Sequence, residues 1–145
     1  MMDYELQPSP TRTANKLHSE VPGYARGQWT PSVGGTSVST GEGSYIKLGD
    51  MVFVSCLLVI TTIGTGSKTQ ISGLPFIVSN VFQSAGVGAV LYTNLVLNVV
   101  NVVALANTSQ TTIELLSATI ADNELSTNNI LGDGSNIRIS LFYFT

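Results

Sequence analysis

The feature of this sequence that most limits its fold is a series of short apolar segments, each bounded by glycine, asparagine or serine. The segments are rich in β-branched residues and are too short for most helices, so they favour strands. The predicted strands are residues 36–39, 44–48, 51–62, 68–71, 86–97, 99–106, 111–119 and 137–144. Seven or eight strands at this spacing are typical of a β-sandwich or jelly roll. We therefore predict an all-β, antiparallel, jelly-roll-like sandwich.

Glycine-containing turns separate these strands. Gly49 and Asp50 form a two-residue turn into the long strand that starts at Met51, and Gly49 supplies the positive φ that a primed hairpin turn requires. The stretch Thr40–Gly43 is interpreted as a turn between the first two strands. The loop 63–67 is predicted to connect a hairpin, although Gly66-Ser67-Lys68-Thr69 resembles the end of a Walker A loop. Because the full spacing and a following helix are missing, we favour the hairpin.

Two strands carry apolar residues on both faces. In the last strand Ile137, Ile139, Leu141 and Tyr143 share one face, and the other face becomes aromatic at Phe142 and Phe144. The segment from Met51 to Ile60 is likewise apolar on both sides. One face fills the core, and a second exposed apolar face is uncommon on a soluble monomer. The pattern therefore predicts self-assembly, with Phe142 and Phe144 at the interface between subunits.

The first 30 residues differ from the rest of the chain. They contain six of the fifteen charged residues and three prolines, without apolar periodicity, whereas only 10% of the whole chain is charged. Such a segment cannot build a core of its own. We divide the chain into an extended anchoring arm, residues 1–30, and a β-sandwich domain, residues 31–145. The predicted arm contacts are Tyr4, Leu6, Leu17, Val21, Tyr24 and Arg26.

The sequence offers little material for catalysis or for cofactors. The single histidine, His18, lies in the arm and the single cysteine, Cys56, lies in an apolar strand, where we expect a small buried side chain. These two residues cannot supply the ligand spacings of a zinc site. Asp122 and Glu124 are interpreted as a solvated turn, with ion binding left open. We expect no enzyme activity and no cofactor.

Two further classes of partner are not expected. A net charge of −3 disfavours electrostatic binding of nucleic acid. The apolar stretch 81–106 is interrupted by asparagines and glycines, so buried strands fit it better than a membrane helix does. We expect no membrane insertion.

Four motifs follow one another along the chain: Gly27-Gln28-Trp29-Thr30-Pro31, the hairpin Gly43-Ser44-Tyr45-Ile46-Lys47-Leu48-Gly49-Asp50-Met51-Val52-Phe53-Val54, the segment Ile71-Ser72-Gly73-Leu74-Pro75-Phe76 and the closing strand 137–143. Together they resemble phage tail-fibre tips and related trimeric virion proteins. The resemblance covers the chain from about residue 27 onward and implies a homotrimeric β-sandwich displayed on a virion. The chain departs from the pattern at Leu141, where the family commonly carries glycine.

Each motif also has a physical interpretation. Trp29 is expected at the mouth of the sandwich, and Tyr45 is expected to share a face with Lys47. Gly73 permits a sharp turn, and Pro75 holds the residue before it extended. We therefore interpret these residues as structural determinants of the fold and not as a catalytic site.

Three functions compete for such a chain. The arm, together with the lack of a shaft or coiled coil, favours a capsid decoration (cement) protein, made in the host cytoplasm, whose arm binds neighbouring major capsid subunits. The alternative is a short tail fibre or receptor-binding tip, in which Tyr92, Tyr143 or the loop around Asn123 contacts a host surface glycan. The third is a small lectin or carbohydrate-active enzyme, for which Glu114 is the single candidate acid.

Overall fold

The computed structural model describes residues 21–80 and 86–145 and contains eight strands and no helix in those ranges. The strands are β1 Tyr24–Trp29, β2 Val38–Leu48, β3 Met51–Thr62, β4 Gln70–Ser72, β5 Val87–Thr93, β6 Val99–Ala106, β7 Thr112–Thr119 and β8 Asn136–Phe144. Every pairing between them is antiparallel. The all-β antiparallel prediction is confirmed.

The eight strands form one continuous sheet rather than two separate ones. Its order is β1-β2-β3-β8-β5-β6-β7-β4, and the region after β1 pairs with β4 through Ser32 and Ser72. The amide of Ser32 donates to the Ser72 carbonyl at 3.1 Å, and the amide of Ser72 donates to the Ser32 carbonyl at 2.8 Å. The sheet therefore curls until its two ends meet, a shape that is consistent with the predicted β-sandwich and equally with a half-barrel.

The core lies on the inner face of this curled sheet. In β8 the residues Ile137, Ile139, Leu141 and Tyr143 are buried, and the residues between them are exposed, as the alternation predicted. The even-numbered residues of β3, from Val52 to Ile60, are buried on the same side. Ile71, Ile113 and Leu115 enter from the strands at the other end of the sheet. Burial of these side chains is the main force that holds the sheet closed.

The hairpin between β2 and β3 forms where it was predicted. Leu48 and Met51 are cross-strand partners, so Gly49 and Asp50 make a two-residue turn. Gly49 has a φ of 59°, and its amide donates to the Gly23 carbonyl at 3.0 Å. The prediction that Gly49 supplies a positive φ is confirmed.

The first two predicted strands are one strand, so the turn proposed at Thr40–Gly43 is wrong. Gly43 pairs with Trp29, and Gly27 pairs with Tyr45, each glycine facing an aromatic ring on the neighbouring strand. A Cβ at Gly43 would lie 2.4 Å from Trp29 Nε1, and one at Gly27 would lie 2.7 Å from the Tyr45 ring. These glycines allow an aromatic ring to lie flat over a strand, which requires a missing side chain and not a change of direction.

Two other connections differ from the predictions. The loop after β3 does not close a hairpin, because β4 pairs with β7 at the opposite end of the sheet. Within the loop the amide of Gly66 donates to the Ile63 carbonyl at 2.8 Å, and Ser67 Oγ accepts the amide of Gln70 at 2.9 Å. The strand predicted over 86–97 ends at Thr93, because Asn94 adopts a φ of 57° that breaks the extended backbone.

The sheet begins before the boundary predicted for the arm at residue 30. Tyr24 and Arg26 lie in β1 and pair with Leu48 and Ile46 of β2, and Val21 precedes them in a turn. The missing side chain at Gly27 leaves room for the Tyr45 ring, and β1 pairs with β2 along its whole length. The predicted arm residues Tyr4, Leu6 and Leu17 lie outside the described residues.

The stretch predicted as buried strands rather than a membrane helix contains β5 and β6. Within the described ranges no helix is long and apolar enough to cross a membrane.

Candidate assembly interface

The outer face of the sheet, opposite the core, is organised in levels across β2, β3 and β8. Cross-strand partners place Leu48, Met51 and Phe144 on one level and Ile46, Phe53 and Phe142 on the next. Ser44, Ser55 and Ser140 form the third level, and Glu42, Leu57 and Arg138 form the fourth. Because side chains alternate between faces, these four levels point away from the core together.

The first two levels form what we call the apolar band. It consists of Ile46, Leu48, Met51, Phe53, Phe142 and Phe144, and Val87 of β5 adjoins it. Phe142 is 54% exposed, Ile46 48% and Leu48 47%. The rings of Phe53 and Phe142 pack with their centroids 5.1 Å apart. The band is thus a contiguous apolar surface that faces solvent in the single chain.

The next two levels are polar and slightly concave. Ser44 and Ser55 share a hydrogen bond of 3.1 Å between their hydroxyl oxygens. A shallow depression of about 470 Å³ lies over the two levels and is lined in part by Gln28, Glu42, Ser55, Leu57, Arg138 and Ser140. Glu42 and Arg138 are exposed, with half-buried Leu57 between them. The outer face therefore combines an apolar band, a row of serines and a row with one acid and one base.

The side of β2 opposite the band explains the hairpin motif. Tyr45 and Lys47 share a face, as predicted, and both contact Phe76. The rings of Tyr45 and Phe76 meet edge to face at 5.3 Å, and Lys47 Nζ lies 5.3 Å from the centre of the Phe76 ring. Lys47 Nζ also donates to Thr145 Oγ1 at 2.8 Å. The contacts with Phe76 hold the end of the segment Ile71–Phe76 against β2, and the hydrogen bond of Lys47 joins β2 to Thr145.

Trp29 and Gly73, two of the motif residues, both have structural roles. The surroundings of Trp29 differ from the prediction. Trp29 is buried and not at an open mouth, and its Nε1 donates to the Ser44 carbonyl at 3.3 Å. Gly73 adopts a φ of 104°, and a Cβ there would lie 2.4 Å from the Thr30 carbonyl oxygen. Gly73 thus makes the sharp turn that precedes buried Leu74 and half-buried Pro75.

Glycine on the neighbouring strand explains the departure at Leu141. Leu141 is buried and is the cross-strand partner of Gly88 in β5. A Cβ at Gly88 would lie 2.3 Å from Leu141 Cβ. The space that glycine at position 141 would leave is therefore supplied from β5, and β8 approaches its neighbour with leucine in place.

Among the proposed glycan contacts, Tyr143 is placed where it cannot reach a ligand. It is fully buried, its hydroxyl oxygen accepts the amide of Phe76 at 3.3 Å, and burial raises its pKa to about 12. Tyr92 is half-buried and donates to the Val99 carbonyl at 3.4 Å, at the edge of a surface depression between β5 and β6. Asn123 lies in an exposed loop.

The other side chains considered for catalysis or ion binding are buried or hydrogen-bonded parts of the fold. Cys56 is buried on the inner face of β3, as predicted, and burial raises the pKa of its thiol to about 12, so the thiol is protonated at neutral pH. An Asp122 carboxylate oxygen accepts the amide of Glu124 at 3.1 Å within a turn. Glu114 lies on β7, where Thr127 Oγ1 donates to it at 3.4 Å. Residues 21–80 and 86–145 contain no cluster of three or more potential metal ligands, and His18 lies outside them.

The structure brings the two predicted interface residues together with others that the sequence analysis did not assign to the interface. Phe142 and Phe144 lie on β8 beside Met51 and Phe53, and β2 adds Ile46 and Leu48. Glu42 and Arg138 were also not singled out. The signal available in the sequence was the alternation that places Glu42, Ser44, Ile46 and Leu48 on one face of a single strand, and the turn predicted at Thr40–Gly43 interrupted that strand.

Comparisons with known proteins identify one similar fold. No protein-family model matches the chain, and no curated protein matches it. Among solved structures, the Dettilon tailspike protein matches with a TM-score of 0.65 and 17% sequence identity. The match covers 83% of this chain and 24% of the tailspike chain, so this chain corresponds to about a quarter of that protein's length. At this identity the shared feature is the fold: the curled antiparallel sheet of this chain also occurs within a tailspike.

Proposed function

We propose that this chain is a structural protein of a bacteriophage particle, that it works as a homotrimer, and that it belongs to the tail structures that contact the host. The observation that carries the proposal is the exposed apolar band, on a fold that a tailspike protein also contains. The four motifs that resemble tail-fibre tips support the same assignment. The preferred location thus moves from the capsid to the tail.

The apolar band supports assembly on physical grounds. Six apolar side chains on three adjacent strands form one surface, and four of them are at least 38% exposed: Ile46, Leu48, Met51 and Phe142. Monomeric proteins rarely leave a contiguous apolar patch of large size open to water. Because only 10% of the residues are charged, the remaining surface also offers few charges for keeping separate monomers soluble. Burial of the apolar band between copies removes the free-energy cost of its exposure to water.

The proposed role is non-enzymatic and involves no cofactor. Host recognition would involve a surface glycan, contacted from exposed loops such as the one around Asn123. Glu114→Gln tests the enzymatic alternative. We expect no glycan cleavage by the purified protein or by this variant, and cleavage that the substitution abolishes would contradict the assignment.

Capsid decoration is the second candidate, and the composition of the first 20 residues favours it. This segment carries Tyr4, Leu6 and Leu17 among charges and prolines and leads into β1, a terminal strand in the sheet order. An extended segment can bind a host protein by adding its main chain to a sheet edge. In this alternative it holds the trimer on neighbouring major capsid subunits.

The location in the particle separates the two candidates. Phage particles that carry the protein are dissociated, and the separated heads and tails are probed with antibody raised against it. The proposal predicts signal in the tail fraction and inhibition of adsorption by the antibody. Signal confined to heads would contradict it and support decoration.

A deletion tests the arm directly. Removing residues 1–20 leaves β1 whole, whereas a deletion up to residue 26 would remove half of that strand. If the protein decorates capsids through its arm, the shortened protein still forms trimers. It no longer binds to capsids from which the protein is missing. Unchanged capsid binding would rule out the arm as the anchor.

A further inference from the structure

We propose that a second copy of this chain covers the outer face and that Glu42 of one protomer forms an ion pair with Arg138 of the next around a threefold axis. The inference rests on the homotrimer of the proposed function and adds the register in which the protomers meet. The partner surface is thus the outer face of another copy of this chain, which is apolar at one end and charged at the other.

Glu42 and Arg138 carry opposite charges on the same level of the outer face. Each pairs across the sheet with Leu57, Glu42 from β2 and Arg138 from β8. Two strand spacings therefore separate their Cα atoms, about 9–10 Å. Neither charge has an ion-pair partner within 4.0 Å in the described part of the chain. Both side chains are exposed at the polar end of a face whose other end is apolar.

A closed trimer determines which parts of the face meet. In a cyclic trimer the interface is heterologous, so one side of the patch contacts the other side of the same patch on the next protomer. With the strands running along the axis, rotation about that axis keeps each level at its own height. The β2 side of one protomer then meets the β8 side of the next, level by level.

This arrangement matches chemistry at each level. On the second level Ile46 meets Phe142 of the next protomer, and both side chains are about half exposed in the single chain. On the third level Ser44 meets Ser140 of the next protomer. On the fourth level Glu42 meets its Arg138. A tilt of the strands against the axis that offset the contact by one level would place Glu42 opposite a serine of the next protomer, so the charges favour the register with matched levels.

Cysteine cross-linking tests the contact between protomers. The variant Glu42→Cys/Arg138→Cys is made in the full chain with Cys56→Ala, which removes the single native cysteine. Oxidation should give covalent trimers on a non-reducing gel. A disulfide within one chain is not feasible, because the Cα atoms are about 9–10 Å apart and disulfides need less than about 7 Å. Absence of covalent trimers would overturn the inference.

Matched variants check the register. Glu42→Cys alone and Arg138→Cys alone should give no covalent trimer. The pair Thr40→Cys/Ser140→Cys occupies the same two strands on levels that do not match, since Thr40 pairs with Val59 and Ser140 with Ser55. It should not cross-link to trimers. Trimers from this pair as readily as from the Glu42/Arg138 pair would contradict the assigned register.

Charge reversal provides an independent readout. Glu42→Arg and Arg138→Glu should each raise the concentration for half-association by about tenfold or more, because like charges then face each other. The double variant Glu42→Arg/Arg138→Glu should restore association to within about threefold of the wild type. If the wild-type protein is a trimer but neither charge reversal weakens its association, the proposed ion pair is refuted. The homotrimer of the proposed function is then still supported. A wild-type protein that stays monomeric refutes the trimer itself.

Discussion

Phe142 offers the sharpest test of the apolar band. The side chain is 54% exposed in the single chain, and aromatic residues bury about 150–250 Å² when fully covered. Covering the exposed part thus removes about 110 Å² of apolar surface from water. At about 25 cal/mol per Å², this corresponds to about 2.7 kcal/mol for each protomer.

A trimer buries the side chain three times, so Phe142→Ala should cost up to about 8 kcal/mol of association free energy. That is about six orders of magnitude in the trimer association constant, since each 1.4 kcal/mol is a factor of ten. The concentration at half-association varies as the inverse square root of this constant. It should therefore rise by up to about three orders of magnitude, measured by sedimentation equilibrium over a dilution series.

The matched control is Ile120→Ala. Ile120 is 79% exposed, but it follows β7, three strands from β8 in the sheet order. It should leave the association unchanged. The folding of the Phe142 variant should lose the part of the side chain that is already buried in the single chain, about 90 Å² or about 2 kcal/mol, and the ring contact with Phe53, about 0.5–1.5 kcal/mol. A Phe142 variant that associates within threefold of the wild type would refute the reasoning.

Three further predictions concern the folded chain, each measured by urea denaturation at fixed protein concentration. Tyr143→Phe should lower the free energy of unfolding by about 0.5–1.5 kcal/mol, because the half-buried amide of Phe76 loses its acceptor; an unchanged stability would contradict that hydrogen bond. Gly73→Ala should cost about 1–3 kcal/mol for its φ plus the cost of the overlap with the Thr30 carbonyl. Gly134→Ala, where φ is also positive but no atom lies within 4 Å, should cost only the first part, and equal losses would argue against the overlap. Stability should fall as pH rises above 9, because Cys56 and Tyr143 keep their protons in the folded state up to about pH 12 while the unfolded chain loses them from about pH 9 and 10. The contribution is complete below pH 9 and declines by about 1.4 kcal/mol per pH unit for each group. Cys56→Ala should flatten the slope between pH 9 and 10, and an unchanged slope would contradict the assignment to the thiol.

The strands with regular alternation could be predicted from the sequence, and so could their buried faces. In β3 and β8 the period of two identifies the residues that face the core, because strand geometry alone fixes it. The turn at Gly49 was also predictable, since only a few residue types adopt its φ.

Features that depend on which strands pair could not be predicted. Gly41 and Gly43 indicate a turn when β2 is considered alone, and their role appears only once Pro31 and Trp29 lie against them. The pairing of β4 with β7 joins segments about 40 residues apart, which no local pattern encodes. The hydrogen bond from the Phe76 amide to the Tyr143 hydroxyl likewise joins residues 67 positions apart, and it excludes Tyr143 as a ligand contact.

The assembly interface was predictable only in part, for the same reason. The apolar second face of β8 indicated that Phe142 and Phe144 need a partner. The common level of Glu42 and Arg138 could not be predicted without the register of three strands. The two residues are 96 positions apart in the sequence, and they pair with Leu57 from opposite sides. Sequence patterns thus identified the need for a partner, and cross-strand register indicated how the partner fits.

Native mass spectrometry of the isolated chain shows directly whether it forms a trimer. One chain has a mass of 15.3 kDa, so we predict a dominant species near three times that value, about 46 kDa, that persists on dilution to micromolar concentration. A stable 15.3 kDa monomer at that concentration, with the apolar band open to water, would contradict the account.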